Sequence, residues 1–108
     1  MSGKDRVVIG KMIKYCEDSV KHIDGLDFES FIDNELVFTY SIFSLLQLGE
    51  LVSNLSDDFK SKNKEIPWAI LKSIRNRIAH DYEGVYDRAI WDALINDIPP
   101  LIEQLRKI

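Results

Sequence analysis

Apolar residues recur at three- and four-residue steps along most of this chain, the period at which an α-helix brings side chains onto one face. Val8, Met12, Ile13, Cys16, Val20 and Ile23 make the first such stripe and predict a helix from about Asp5 to Asp24. Gly25 follows where a helix needs a C-terminal stop, and Asp27 stands as a cap for what comes next. The second segment, from about Phe28 to Leu55, is expected to bend or break near Asp33–Asn34. Its middle, LVFTYSIFSLLQL, is apolar on most sides, the pattern of a central helix with neighbours around it. Gly49 lies inside that helix, where glycine costs up to about 1 kcal/mol against alanine. A small residue there predicts close approach of another helix or of strained backbone.

Residues Ser56 to Ile66 are polar and lysine-rich and read as a loop. Pro67 suits the first turn of a third helix, whose buried stripe is Trp68, Leu71, Ile74 and Ile78. A fourth segment begins near Val85, after Gly84, and carries Trp91, Leu94, Ile95, Ile98, Leu101, Ile102, Leu105 and Ile108 at helical spacing. Pro99 and Pro100 interrupt its hydrogen bonds. Either the helix kinks there, or Asp97 caps a short fifth helix with both prolines in its first turn. Strand signals are weak. The pattern predicts an all-α fold, an antiparallel four-helix bundle, in one domain covering residues 1–108.

Length and composition fit that picture. A chain of 108 residues, 45% apolar and 30% charged, suits one globular domain with little stability to spare, which pairing with a second copy would raise. Cys16, the single cysteine, cannot form an internal disulfide or a thiolate metal cage, and its place on an apolar stripe reads as core. The opening MSGKDRVVIGKM is too polar for a signal peptide, and no uninterrupted apolar run reaches the roughly 18 residues of a membrane span. The expected location is the cytoplasm. Net charge is −4, but it is segregated. From Lys60 to Arg77 six cations face one anion, whereas the rest of the chain has eight cations and seventeen anions. That basic strip could attract phosphates, although Lys60, Lys62 and Lys64 read more simply as a solvated loop.

The strip runs into RNRIAHDY, residues 75–82, which crowds two arginines, an asparagine, a histidine and a tyrosine into eight positions. Each has an ordinary explanation: arginines paired with Asp81 or Glu83, a solvated histidine, a half-buried packing tyrosine. On a straight helix Arg75 and His80 stand about 140° apart, so they do not face one target together. Asn76 and His80, four apart, share a face, which lets Asn76 orient His80. Arg75 and Tyr82, seven apart, return to nearly the same stripe. Arg75 and His80 converge only if the helix distorts or ends, or if a second copy supplies one of them.

The stretch IPWAILKSIRNRIAHDYEGVYDRAIWDALINDIPPLIEQL resembles the C-terminal half of the HepT-like (DUF86) branch of the HEPN superfamily. Arg75 and His80 fit that superfamily's arginine and histidine separated by four to six residues, and Asn76 matches the usual asparagine after the arginine. Tyr82 completes the branch's Arg-x4-His-x-Tyr form. Ile66-Pro67-Trp68, Leu48-Gly49-Glu50 and Trp91 extend the similarity over nearly the whole chain, and the acidic balance is the main departure. The resemblance implies a helical bundle that acts as a metal-independent endoribonuclease on RNA, typically the toxin of a toxin–antitoxin pair. It further implies a homodimer whose two motifs meet at a shared cleft. The partner it implies is a minimal nucleotidyltransferase antitoxin that adenylylates Tyr82.

The residue types suit that chemistry. RNA carries its own nucleophile in the 2′-hydroxyl, and histidine is the side chain most able to take or give a proton near neutral pH, which assigns that role to His80. A guanidinium holds the gathering phosphate charge with paired hydrogen bonds, which assigns that role to Arg75. Glu50, if it faces this helix, would hold Arg75 or His80; a plain surface carboxylate is the equal alternative. The sequence has no phosphate-cradling glycine loop and no zinc-type spacing, so no cofactor or metal is implied. His22 is isolated and reads as surface, and Trp68 and Trp91 read as core. The competing readings are a non-catalytic HEPN module that binds a nucleotide or protein, and a bundle that serves only association.

Overall fold

Four helices begin where a short polar side chain takes up an unpaired backbone N–H. A computed structural model describes residues 1–80 and 87–108 of the chain. α1 spans Gly3–Ile23, with Ser2 accepting from the Asp5 N–H. α2 (Phe28–Asp33) is capped by Asp27, and α3 (Glu35–Ser53) by Asn34. α4 (Asp57–Lys62) is capped by Ser56. α5 covers Trp68–His80. α6 (Asp87–Asp92) runs through a wider π-helical segment, Ala93–Asp97, into α7 (Ile98–Arg106). Gly25 turns the chain after α1 at φ +79°, a conformation that disfavours any residue with a Cβ.

The rods α1, α3, α5 and α6–α7 form an all-α bundle, with no strand among the described residues. α1 and α3 are antiparallel: Asp5 meets Ser56 at one end, Tyr15 meets Phe43 midway, and His22 stacks on Tyr40 near the other end. Glu17 pairs with Arg106 at 3.1 Å, while Asp24 shares a groove with Pro99, so α1 and α7 are antiparallel too. Met12, Cys16, Leu45, Leu48, Leu94, Ile98, Leu101 and Leu105 fill the centre. Phe31 seals one side against Trp91, their ring centroids 5.0 Å apart. Trp68 is anchored by its indole N–H, which donates to the carbonyls of Lys60 and Asn63. Both tryptophans are structural, as expected. Burial pushes the Cys16 thiol up to about 12, which leaves it a core residue without reactivity at neutral pH.

Two expectations need correction and one lies out of reach. The stretch read as a loop from Ser56 to Ile66 contains α4, because Ser56 caps it and Asp57 and Asp58 oppose the positive end of its dipole. Lys60 and Lys62 then pair back to Asp57 and Asp58, and Phe59 anchors the helix in the core. At the C-terminus, Asp97 makes no side-chain capping hydrogen bond, so the expected cap is absent and the helical path continues through it. The Ile98 N–H donates to the Ala93 carbonyl across a π turn, and Pro99 and Pro100 fall in the first turn of α7. The wider turn makes room for rings that an ordinary helix interior excludes. The break expected near Asp33–Asn34 is present at Asn34. The start expected near Val85 lies outside the described residues.

Asp5 ties two elements together. Its carboxylate is 3% exposed and accepts from the Ser56 N–H at 3.0 Å and the Ser56 hydroxyl at 2.9 Å. The Ser56 backbone N–H does most to hold this carboxyl below the usual carboxylate range. A folded-state pKa below the unfolded value gives stability that is present above the unfolded pKa. That stability fades as pH falls through the folded value. Asp5→Asn is therefore expected to melt earlier than the parent at pH 7, with the gap closing toward pH 3, in thermal unfolding followed by circular dichroism.

Candidate active site

α5 is amphipathic: Leu71 and Ile78 are buried, Ile74 is half-buried, and the other flank faces solvent. Arg75 sits on the edge that meets α3. Gly49 makes this contact possible. A Cβ built there would lie 2.7 Å from Arg75 Cγ, closer still to Arg75 Cβ, and 3.1 Å from the Leu71 carbonyl. The arginine stem thus lies directly against α3 backbone, as the glycine in the apolar helix predicts.

From that seat Arg75 Nε donates to Glu50 Oε1, one residue beyond the glycine. Arg75 Nη1 donates to Asn76 Oδ1 at 3.0 Å. Two elements therefore orient the planar guanidinium, and its other N–H groups are uncommitted among the described residues. The ion pair is partly solvated, with the Arg75 side chain 31% exposed and that of Glu50 49% exposed. Such a pair adds little stability; its effect is to set direction.

His80 is exposed in the last turn of α5. It lines an open groove of about 530 Å³ with Ala69, Lys72, Ser73, Asn76 and Arg77. Arg75 is not part of that lining. Within one chain the arginine and the histidine occupy different flanks of α5, as the helical angle predicts. Asn76 shares the His80 flank, also as predicted, but its carbonyl oxygen accepts from Arg75, and no hydrogen bond joins it to His80 among the described residues. Asn76 thus sits on the seam between the two flanks. Tyr82, with its expected place beside Arg75, lies outside the described residues, as do Asp81 and Glu83.

Lys72 counts among the six cations of the basic strip, but its place beside His80 was not read from the sequence, and Ser73 was not singled out, although their spacing to Asn76 and His80 carries the signal. His22 is a surface residue of α1, its Nδ1 against the Asp18 carbonyl.

An all-helical bundle that carries arginine, asparagine and histidine together on one helix has the build of a HEPN-type domain. The chain belongs to the Ribonuclease HepT-like family, which matches residues 12–108. It is 30% identical over 103 residues to "Putative RNase TTE0752" of Caldanaerobacter subterraneus subsp. tengcongensis, a match covering 95% of this chain and 92% of that protein. It is 33% identical to "Probable ribonuclease HepT" of Thermococcus cleftensis, over 86% of this chain and 94% of that protein. It is 29% identical to "Putative RNase MJ0127" of Methanocaldococcus jannaschii, over 100% of this chain and 90% of that protein. No solved structure matches the chain.

Proposed function

We propose that this protein is a metal-independent endoribonuclease in which Arg75 and His80 act on one phosphodiester. The observation that carries the reading is the oriented guanidinium. Glu50 and Asn76 hold Arg75 through Nε and one Nη1 hydrogen, which leaves its other donors for phosphate oxygens. A base removes the 2′-hydroxyl proton, the 2′-oxygen attacks phosphorus, and the 5′-oxygen leaves with a proton from an acid. The products are a 2′,3′-cyclic phosphate and a 5′-hydroxyl. Arg75 stabilises the charge gathered on the non-bridging oxygens. His80 of one copy serves as base and His80 of a second copy as acid.

A second copy is needed because one chain places Arg75 and His80 on different flanks. α3 offers a surface for it. Leu36 is 84% exposed and Phe43 44%, and both fall on the stripe of α3 that ends at Glu50, seven residues apart. α3 is long and apolar enough to cross a membrane by length and composition, yet only 39% of its most apolar stretch is buried. Its buried residues, among them Leu45, Leu48, Leu51 and Val52, belong to the bundle core. A copy related by twofold symmetry and seated on the exposed stripe would bury apolar surface beside Arg75.

The same reading makes the protein a cytoplasmic toxin restrained by a minimal nucleotidyltransferase antitoxin that adenylylates Tyr82. AMP on a residue two positions past His80 adds a bulky anion near the proposed site and would exclude RNA by charge and volume. The deciding experiment incubates the purified protein with RNA in excess chelator and analyses the ends. Cyclic phosphate ends that appear with chelator present support the reading. Saturable RNA or nucleotide binding without any new ends would replace it with a binding module.

A further inference from the structure

The groove on α5 extends well beyond the two residues assigned to chemistry. Lys72, Ser73, Asn76, Arg77 and His80 lie along about 12 Å of helix. Lys72, Ser73 and Arg77 are exposed. The groove walls are largely apolar stems, but five of the six lining side chains carry hydrogen-bond donors and, among the described residues, none is a carboxylate. Asn76 turns its carbonyl oxygen to Arg75, which leaves its amide N–H₂ as the polar group free to face the groove. Such a surface suits a ligand made of acceptors.

Charge elsewhere narrows the choice. Within the basic run, Lys60 and Lys62 are paired to Asp57 and Asp58, so α4 is not a free cationic surface. Outside residues 60–77 the chain is net −9. A polyanion is repelled over most of the molecule and attracted along α5. The groove has no phenylalanine, tyrosine or tryptophan among its described lining residues; the one ring there is the His80 imidazole, assigned to the chemistry.

The geometry points to Lys72 and Arg77, assisted by Ser73, as a phosphate track. It holds the sugar–phosphate backbone of single-stranded RNA next to the scissile bond, without reading sequence. This inference rests on the ribonuclease reading for its substrate and deepens it by separating the residues that hold the strand from those that cut it. Each lysine or arginine neutralises about one phosphate, so each should contribute about 0.7 to the slope of log affinity against log salt.

The test uses a fluorescein-labelled, mixed-sequence single-stranded RNA, 2′-O-methylated throughout so that it cannot be cut. Anisotropy titrations across a salt series compare the wild-type protein with Lys72→Ala, Arg77→Ala and the control Lys14→Ala on α1. Each groove variant should bind about fivefold more weakly near 0.1 M salt and lose about 0.7 from the slope, while the control binds as wild type does. With cleavable RNA, KM should rise in the same ratio and kcat should hold. Groove variants that bind like wild type, or that lose kcat at unaltered KM, overturn the track. If the wild type cuts RNA and the groove variants bind it normally, the track fails and the nuclease stands. If wild type binds RNA without cutting and the variants bind poorly, the track stands and the nuclease fails.

Discussion

His80→Ala should lower RNA cleavage by about a thousandfold or more while the fold survives intact. Removing a general acid–base group typically costs 10²–10⁴ in rate, and two copies of the missing imidazole would deepen the loss. The side chain is exposed at the end of α5, so its truncation should move stability by no more than about 0.5 kcal/mol. Gel-based cleavage rates and thermal melts of the same preparations separate the two effects. Arg75→Ala should fall by about 10²–10³, and Arg75→Lys should recover little. An ammonium cannot reproduce a planar fork that donates to Glu50 and Asn76 at once and still meets a phosphate. Full activity in either alanine variant would remove the assigned pair from the mechanism.

Gly49→Ala should unfold the protein more easily, against the usual direction for this change. In an exposed helix interior, alanine in place of glycine stabilises by up to about 1 kcal/mol. Here the new methyl would overlap the Arg75 stem and crowd the Leu71 carbonyl, one of them fixed backbone. Overpacking of this kind costs about 1–3 kcal/mol, so the clash should outweigh the propensity gain. For a domain of this size the melting temperature should drop by several degrees. Cleavage should fall further than stability alone explains, because the contact that must open is the one that aims Arg75. A second substitution locates the cause. Arg75→Ala keeps its own Cβ and should leave Gly49→Ala unstable, whereas Arg75→Gly removes the obstructing atom and should restore part of the loss. A melting temperature raised by Gly49→Ala alone would show that α3 and α5 are not pressed together there.

Much of this architecture could be read from residue order, and the misses have physical causes. The long helices declared themselves through apolar stripes, and Asp27 and Gly25 marked their ends as expected. Gly49 was readable because a glycine inside an apolar helix needs a packing reason. α4 was missed because six residues make fewer than two turns, too few for an apolar stripe to repeat, so its cap and charge pairs outweigh any stripe. The C-terminal helix was ambiguous because two adjacent prolines fit both a kink and a first turn; they fall in the first turn of α7, reached through a π segment rather than through a cap by Asp97. In the site, the separation of Arg75 from His80 followed from helical angle alone. The partner of Asn76 did not, because four-residue spacing points to His80 while a guanidinium pinned by Glu50 folds back across its immediate neighbour. Lys72 was legible only as one cation of the basic strip and Ser73 not at all, because only projecting α5 with its neighbours in place shows which flank is open.

If Arg75 meets a phosphate as proposed, the carboxylate beside it has a further consequence for selectivity. A guanidinium that already has a resident counterion makes a poor trap for stray chloride or small metabolites, since each newcomer must outcompete or share with a tethered rival. A long polyanion escapes that handicap, because contacts made farther along its length compensate for weak capture at any single point. Glu50 would then act as a discriminator, keeping the arginine idle until a visitor of sufficient reach arrives.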